Sequence, residues 1–138
     1  MLNFQAKAGL LASKTILVTG AGDGIGKEAA LQYAQYGATV ILLGKTVSKL
    51  EAVYDKIIAD GGREPAIVPL DLMGATPQHY RDMASTIDNQ FSGLDGVLHN
   101  ASVLGHLEPF QQISEDDWHK VMQVNVNSQF FMTQALIP

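Results

Sequence analysis

Four glycines alternate through TGAGDGIG, at Gly20, Gly22, Gly24 and Gly26, in the turn after a short apolar run. That density lets a backbone approach a group that leaves no room for side chains. A helix opening at such a turn also offers free N–H groups and a dipole to an anion. Phosphate binding is the chemistry indicated, and three loop types compete for it. A P-loop needs G-x-x-x-x-G-K-[ST]. Gly26-Lys27 could close one, but Ala21 occupies the first glycine position and Glu28 replaces the magnesium-holding hydroxyl. A G-x-G-x-x-G fingerprint begun at Gly20 places Ile25 at its third glycine. Thr19, Gly20, Gly24, Ile25 and Gly26 do satisfy T-G-x-x-x-G-I-G. A tight turn that binds nothing is disfavoured by the setting, after a buried strand and at a helix start.

Asn125 is the second candidate. At helical spacing it shares a stripe with Trp118, Met122, Gln129 and Met132, where an unpartnered amide is costly. Definite hydrogen-bond partners are expected, and a core Asn tying its helix to a neighbouring strand is the plain alternative to a functional role. His79, His99, His106 and His119 show no fixed spacing to carboxylates that would form a zinc site, so no metal is expected. The Val121, Val124 and Phe131 face reads as packing.

The elements that must hold these residues alternate in type. TILVT (15–19) is a short β-rich run, followed by an amphipathic stretch from Ile25 to Tyr36 with Gly37 at its left-handed stop. ATVILL (38–43) does not alternate and reads as a strand buried on both faces. Ser48-Lys49-Leu50-Glu51 matches a capping box opening a helix toward Gly61-Gly62. AIVPL (66–70) is a third strand. Thr76-Pro77 predicts an N-cap and a helix to about Phe91. GVLH (96–99) is a fourth strand, and Ser114 leads a last helix from about Asp116. Strand–helix alternation of this kind predicts right-handed βαβ units: a Rossmann-like, doubly wound parallel α/β sheet of about four strands in order 3-2-1-4.

The chain is long enough, at 138 residues, for one domain with its own core. It is 46% hydrophobic and 17% charged, an ordinary globular balance. A net charge of −5 argues against a nucleic-acid partner. There is no cysteine, hence no disulfide, thiolate metal site or thiol nucleophile. No stretch is apolar enough to span a bilayer, and MLNFQAKAGLLASK lacks a signal-peptide core. The expected location is cytoplasmic. The sequence stops at Ala135-Leu136-Ile137-Pro138 with no fifth strand, which predicts an open sheet edge and an uncovered helix face. The chain is therefore expected to be the N-terminal part of a longer protein.

TGAGDGIG resembles the nucleotide-binding turn of the short-chain dehydrogenase/reductase family, and the resemblance extends from Lys14 through nearly the whole chain. Asp71-Leu72 stands where the family places an Asp on the adenine amino group. His99-Asn100-Ala101-Ser102 stands where it has Asn-Asn-Ala-Gly, with His99 and Ser102 departing from the pattern. Asn125, in VMQVNVNSQFF, matches the family's catalytic Asn, which holds a water in a proton relay. Ser128 occupies a position that is often glycine.

The resemblance implies a nicotinamide dinucleotide as cofactor, held by Gly20, Asp23, Gly24, Ile25, Gly26, Asp71, Leu72, Asn100 and Ala101. The second strand ends Leu43-Gly44-Lys45, without the carboxylate that takes ribose hydroxyls. Lys45 instead suits a 2′-phosphate, which favours NADP over NAD, although some NADP-using members carry a basic residue at position 23. The family transfers hydride between the nicotinamide and a small-molecule carbonyl or alcohol, using Ser and Tyr-x-x-x-Lys. Tyr33, Tyr36, Tyr54 and Tyr80 are followed four residues later by Gly37, Val40, Ile58 and Ala84, so this chain contains no such motif. It is expected to be the cofactor-binding part of an oxidoreductase, inactive alone and drawn from a homo-oligomeric parent. A non-catalytic dinucleotide-binding module is the alternative.

Overall fold

The computed structural model describes residues 4–138, so the first three residues of the N-terminal peptide lie outside the described part. Four strands, β1 (Thr15–Thr19), β2 (Thr39–Gly44), β3 (Ala66–Pro69) and β4 (Gly96–Leu98), form one parallel sheet in the order β3-β2-β1-β4. The expected order is therefore observed, and β1 coincides with TILVT residue for residue.

Period-2 geometry explains why β2 reads as an unbroken apolar run. Leu17, Ile41 and Leu43 face one side, where they pack with Leu72, Tyr80 and Met132. Val18, Val40 and Leu42 face the other and meet Ala30, Ala34, Leu50 and Val53. The register Leu17↔Ile41 and Leu17↔Val97 carries the first layer across three strands. Helices α1 (Gly24–Gln35) and α2 (Val47–Ala59) supply the second layer, while α3 (Pro77–Gln90) and α5 (Ser128–Leu136) pack together on the first.

Helix termini follow the expected chemistry with one exception. Thr76 caps α3 through its side chain, with Pro77 next and His79 closing the reciprocal bond. Ser114 caps α4 (Glu115–Met122) by accepting from the Asp117 amide. Gly37 follows α1 with φ +98°. The capping box expected at Ser48 does not form. The helix α2 begins at Val47, because the amides of Lys49 and Leu50 both reach the Thr46 carbonyl at 3.1 and 3.2 Å. Thr46 is the cap residue and its hydroxyl takes no part.

The last helix also differs from its expected form. Residues Gln123–Asn127 make a π-helical turn joining α4 to α5, with the Ser128 amide bonded to Gln123 five residues back. The additional residue rotates everything downstream. The stripe through Trp118, Met122 and Asn125 is consequently broken: Trp118 is 56% exposed, and the buried row is Val124, Ser128 and Met132. Ser128 satisfies itself there by donating to the Val124 carbonyl. Val121 and Phe131 are half-buried, and Phe131 packs on the core.

Candidate functional site

Strand C-termini converge on a cleft of about 420 Å³. Its floor and walls come from the turn after β1 (Gly20, Asp23, Ile25), the end of β2 (Lys45, Thr46) and the segment after β3 (Asp71, Leu72). Asn100, Ala101, Ser102 and Val103, following β4, close the remaining side. A crevice at this end of a parallel sheet, where connections to the two sides diverge, is where doubly wound folds bind ligands.

The turn itself is built for close approach. At Gly26, a Cβ would stand 2.2 Å from the Gly20 carbonyl oxygen and 2.4 Å from the Asn100 amide nitrogen. The turn's own packing therefore demands that glycine. Gly24 is different: its φ is +53°, and nothing lies within 4 Å of where a side chain would begin. That open side belongs to the start of α1, where the amides of Ile25 and Gly26 have no acceptor among the described residues. Free first-turn amides, a positive dipole end and an unfilled face fit a diphosphate.

Thr19 ties the turn to β4. Its hydroxyl accepts from the amides of Asn100 at 3.0 Å and Ala101 at 2.9 Å, and donates to the Leu98 carbonyl. Asn100 returns the link through its side-chain amide, which donates to the carbonyls of Thr19 and Gly20. Asn100 and Ala101 thus reach the cleft through backbone and position, while the Asn100 amide group is spent on holding the turn. Asp71 accepts from the Met73 amide at 3.0 Å, leaving its other carboxylate oxygen without a partner among the described residues.

Asn125 does not line this cleft. It lies behind Val103, donating to the Val103 carbonyl at 2.8 Å and accepting from the Val103 amide at 2.9 Å. His99 likewise points away, its Nε2 lying 2.9 Å from the Thr133 hydroxyl of α5, and burial holds its pKa down. Two anchors from the last helix therefore fix the backbone that walls the cleft.

At the mouth, Lys45 is exposed and takes no ion-pair partner among the described residues. Asp23 caps α1 through the Gly24 amide at 2.8 Å and pairs with Lys49 at 2.7 Å. The Lys49 ammonium, with the Gly24 amide, holds the Asp23 carboxyl below its usual pKa. Sequence reasoning did not find Lys49. Its one visible signal is the four-residue spacing from Lys45 across a helix start. His106, Glu108 and Asp117 also come together, with ligand atoms within 4.8 Å of one another, Asp117 being brought to the other two from α4. His106 and Asp117 make a direct ion pair that raises the imidazole pKa and lowers the carboxyl.

A parallel sheet with a glycine turn at its first strand and this cleft defines a Rossmann-type fold. A family model for short chain dehydrogenases matches residues 14–138, and the chain belongs to that family. Among curated relatives, the uncharacterized oxidoreductase YciK of Escherichia coli K12 is 48% identical over 137 residues, covering 99% of this chain and 54% of the relative. A solved protein from Pseudomonas syringae superposes with TM-score 0.96 at 46% identity, covering 100% of this chain and 56% of the other. A Shigella flexneri 2a relative solved in complex with NADP gives TM-score 0.92 at 48% identity, covering 96% and 55%. The chain spans about half the length of the curated relatives it matches.

Proposed function

We propose that this chain is the cofactor-binding part of an NADP(H)-dependent oxidoreductase that moves hydride between the nicotinamide and a carbonyl or alcohol of a small molecule. One observation carries the reading: the cleft joins the free amides of α1 to a β2 end that offers Lys45 and no carboxylate. The first feature suits a diphosphate and the second an anionic 2′ substituent. The NADP complex of the Shigella relative supports the same choice. Bound cofactor would supply the hydride, while Ile25, 80% exposed at the cleft, offers it an apolar surface.

The Ser and Tyr-x-x-x-Lys that handle the proton are assigned to residues outside these 138, since no tyrosine here has a lysine four positions on. Asn125 contributes to the reaction by fixing Val103. A water-holding role would require one of its two Val103 bonds to be shared. The parent is proposed to be a homo-oligomer, supported by Trp118, Val126 and Phe130 standing exposed on the last helical segment. A cytoplasmic location belongs to the same proposal and is checked by cell fractionation.

Titration of the purified protein with NADPH and NADH, followed by nucleotide fluorescence, tests the reading. Saturable binding that is tighter for NADPH is expected. Failure of both nucleotides to bind rejects the function.

A further inference from the structure

The ion pair at the cleft mouth joins two elements that meet nowhere in the sequence. Asp23 stands at the N-cap of α1, and Lys49 lies in the first turn of α2. The base of the Lys49 stem sits against the glycine turn, while its side chain is 54% exposed. A Cβ on Gly22 would come within 3.0 Å of the Lys49 Cβ, so the glycine turn and this lysine are packed against each other. Its ammonium then meets the Asp23 carboxylate at 2.7 Å, and both residues line the same cleft as Lys45.

We propose that Lys49 is a specificity-determining residue of the nucleotide site: it neutralises Asp23 and supplies the second cation that an adenosine 2′-phosphate requires. The inference rests on the proposed NADP(H) function and assigns the selection to a residue pair. A phosphomonoester carries about −1.5 to −2 charge at pH 7. Without Lys49, the Asp23 carboxylate would oppose such a group beside Lys45. Lys49 offsets Asp23 and leaves the Lys45 charge unopposed at the β2 end, while Asp71, the other carboxylate of the cleft, follows β3. An ammonium has three donors, so Lys49 can keep Asp23 and still bind a phosphate oxygen. A ribose with free hydroxyls gains nothing comparable from a lysine that has no acceptor role to offer it.

Four proteins test this: wild type, Lys49→Met, Asp23→Asn and the double variant, each titrated with NADPH and NADH. Methionine keeps an unbranched stem against Gly22, and asparagine keeps the N-cap of α1. Losing one charge-assisted bond predicts about tenfold weaker NADPH binding by Lys49→Met, with NADH changed by less than about twofold. Adding Asp23→Asn recovers part of that loss, because the unmasked carboxylate is gone. Asp23→Asn alone leaves NADPH binding equal or tighter. Equal weakening of both nucleotides by Lys49→Met shows a structural brace and overturns the proposal, as does no change in either. Wild type that binds neither nucleotide rejects the proposed function itself, an outcome distinct from both.

Discussion

Asn125 grips Val103 by both ends of one amide, its Nδ2 donating to the carbonyl and its Oδ1 accepting from the N–H. Asn125 sits in the π-turn, and Val103 walls the cleft. Asn125→Ala leaves two backbone groups of a half-buried residue unpaired, at a cost of about 1–3 kcal/mol in unfolding free energy. Asn125→Asp keeps the acceptor and loses the donor, so it should fall between wild type and alanine or below. Chemical denaturation measures both. Unchanged stability in Asn125→Ala would mean that Val103 is held by other means.

Thr19 makes the equivalent test at the other end of the same wall. The residue is 2% exposed, and its hydroxyl serves the Asn100 and Ala101 amides together. Thr19→Val preserves shape and β preference but orphans both amides, so a loss of about 2 kcal/mol is expected. Nucleotide affinity should drop with it, because the loop after β4 loses its tie to the glycine turn. Thr19→Ser restores the hydroxyl and should recover most of both.

How much of this was readable beforehand depended on distance along the chain. Gly37, Thr76 and Ser114 act through neighbours within a few residues, TILVT is legible from its own β-rich composition, and the structure places all four as expected. The stripe through Trp118 and Asn125 failed because it assumed a uniform 3.6-residue period, and one π-turn is enough to shift the register. The box at Ser48 failed because the Thr46 carbonyl closes the first turn of α2 without any side chain. Lys49 against Asp23, and Asn100 against Thr19, join residues 26 and 81 positions apart, and no local pattern encodes such meetings.

Tyr80 offers a prediction of opposite sign. Its ring is fully buried in the core, and its hydroxyl has no hydrogen-bond partner among the described residues. Burial also pushes the phenol pKa up. Removing an unpaired hydroxyl returns its desolvation cost, so Tyr80→Phe should be neutral or stabilising by up to about 1 kcal/mol. A fall in melting temperature would reveal a partner for that oxygen.

The His106–Asp117 pair predicts a pH signature. The imidazole pKa is raised by Asp117, so its stabilisation is complete below the unfolded value and is lost as pH rises through the folded one. The carboxyl pKa is lowered by His106, so its share is present above the unfolded carboxylate value and is lost on acidification. The pair therefore contributes between the ordinary carboxylate and imidazole ranges. His106→Gln should lower the melting temperature in mildly acidic buffer and converge with wild type above neutrality. A pH-independent gap would assign the effect to packing.

Lys45 tests the cofactor choice by charge reversal. It stands at the end of β2 with no ion-pair partner among the described residues, so replacing it breaks no existing pair. Lys45→Asp withdraws a cation from the 2′ position and installs an acceptor suited to free ribose hydroxyls. NADPH affinity should fall by about tenfold or more, since repulsion replaces attraction, while NADH affinity holds or rises. Raising the salt concentration should narrow the difference, because the group is exposed and screened. If the ratio of the two dissociation constants stays fixed, selection does not lie with Lys45, which is then a solvated loop residue.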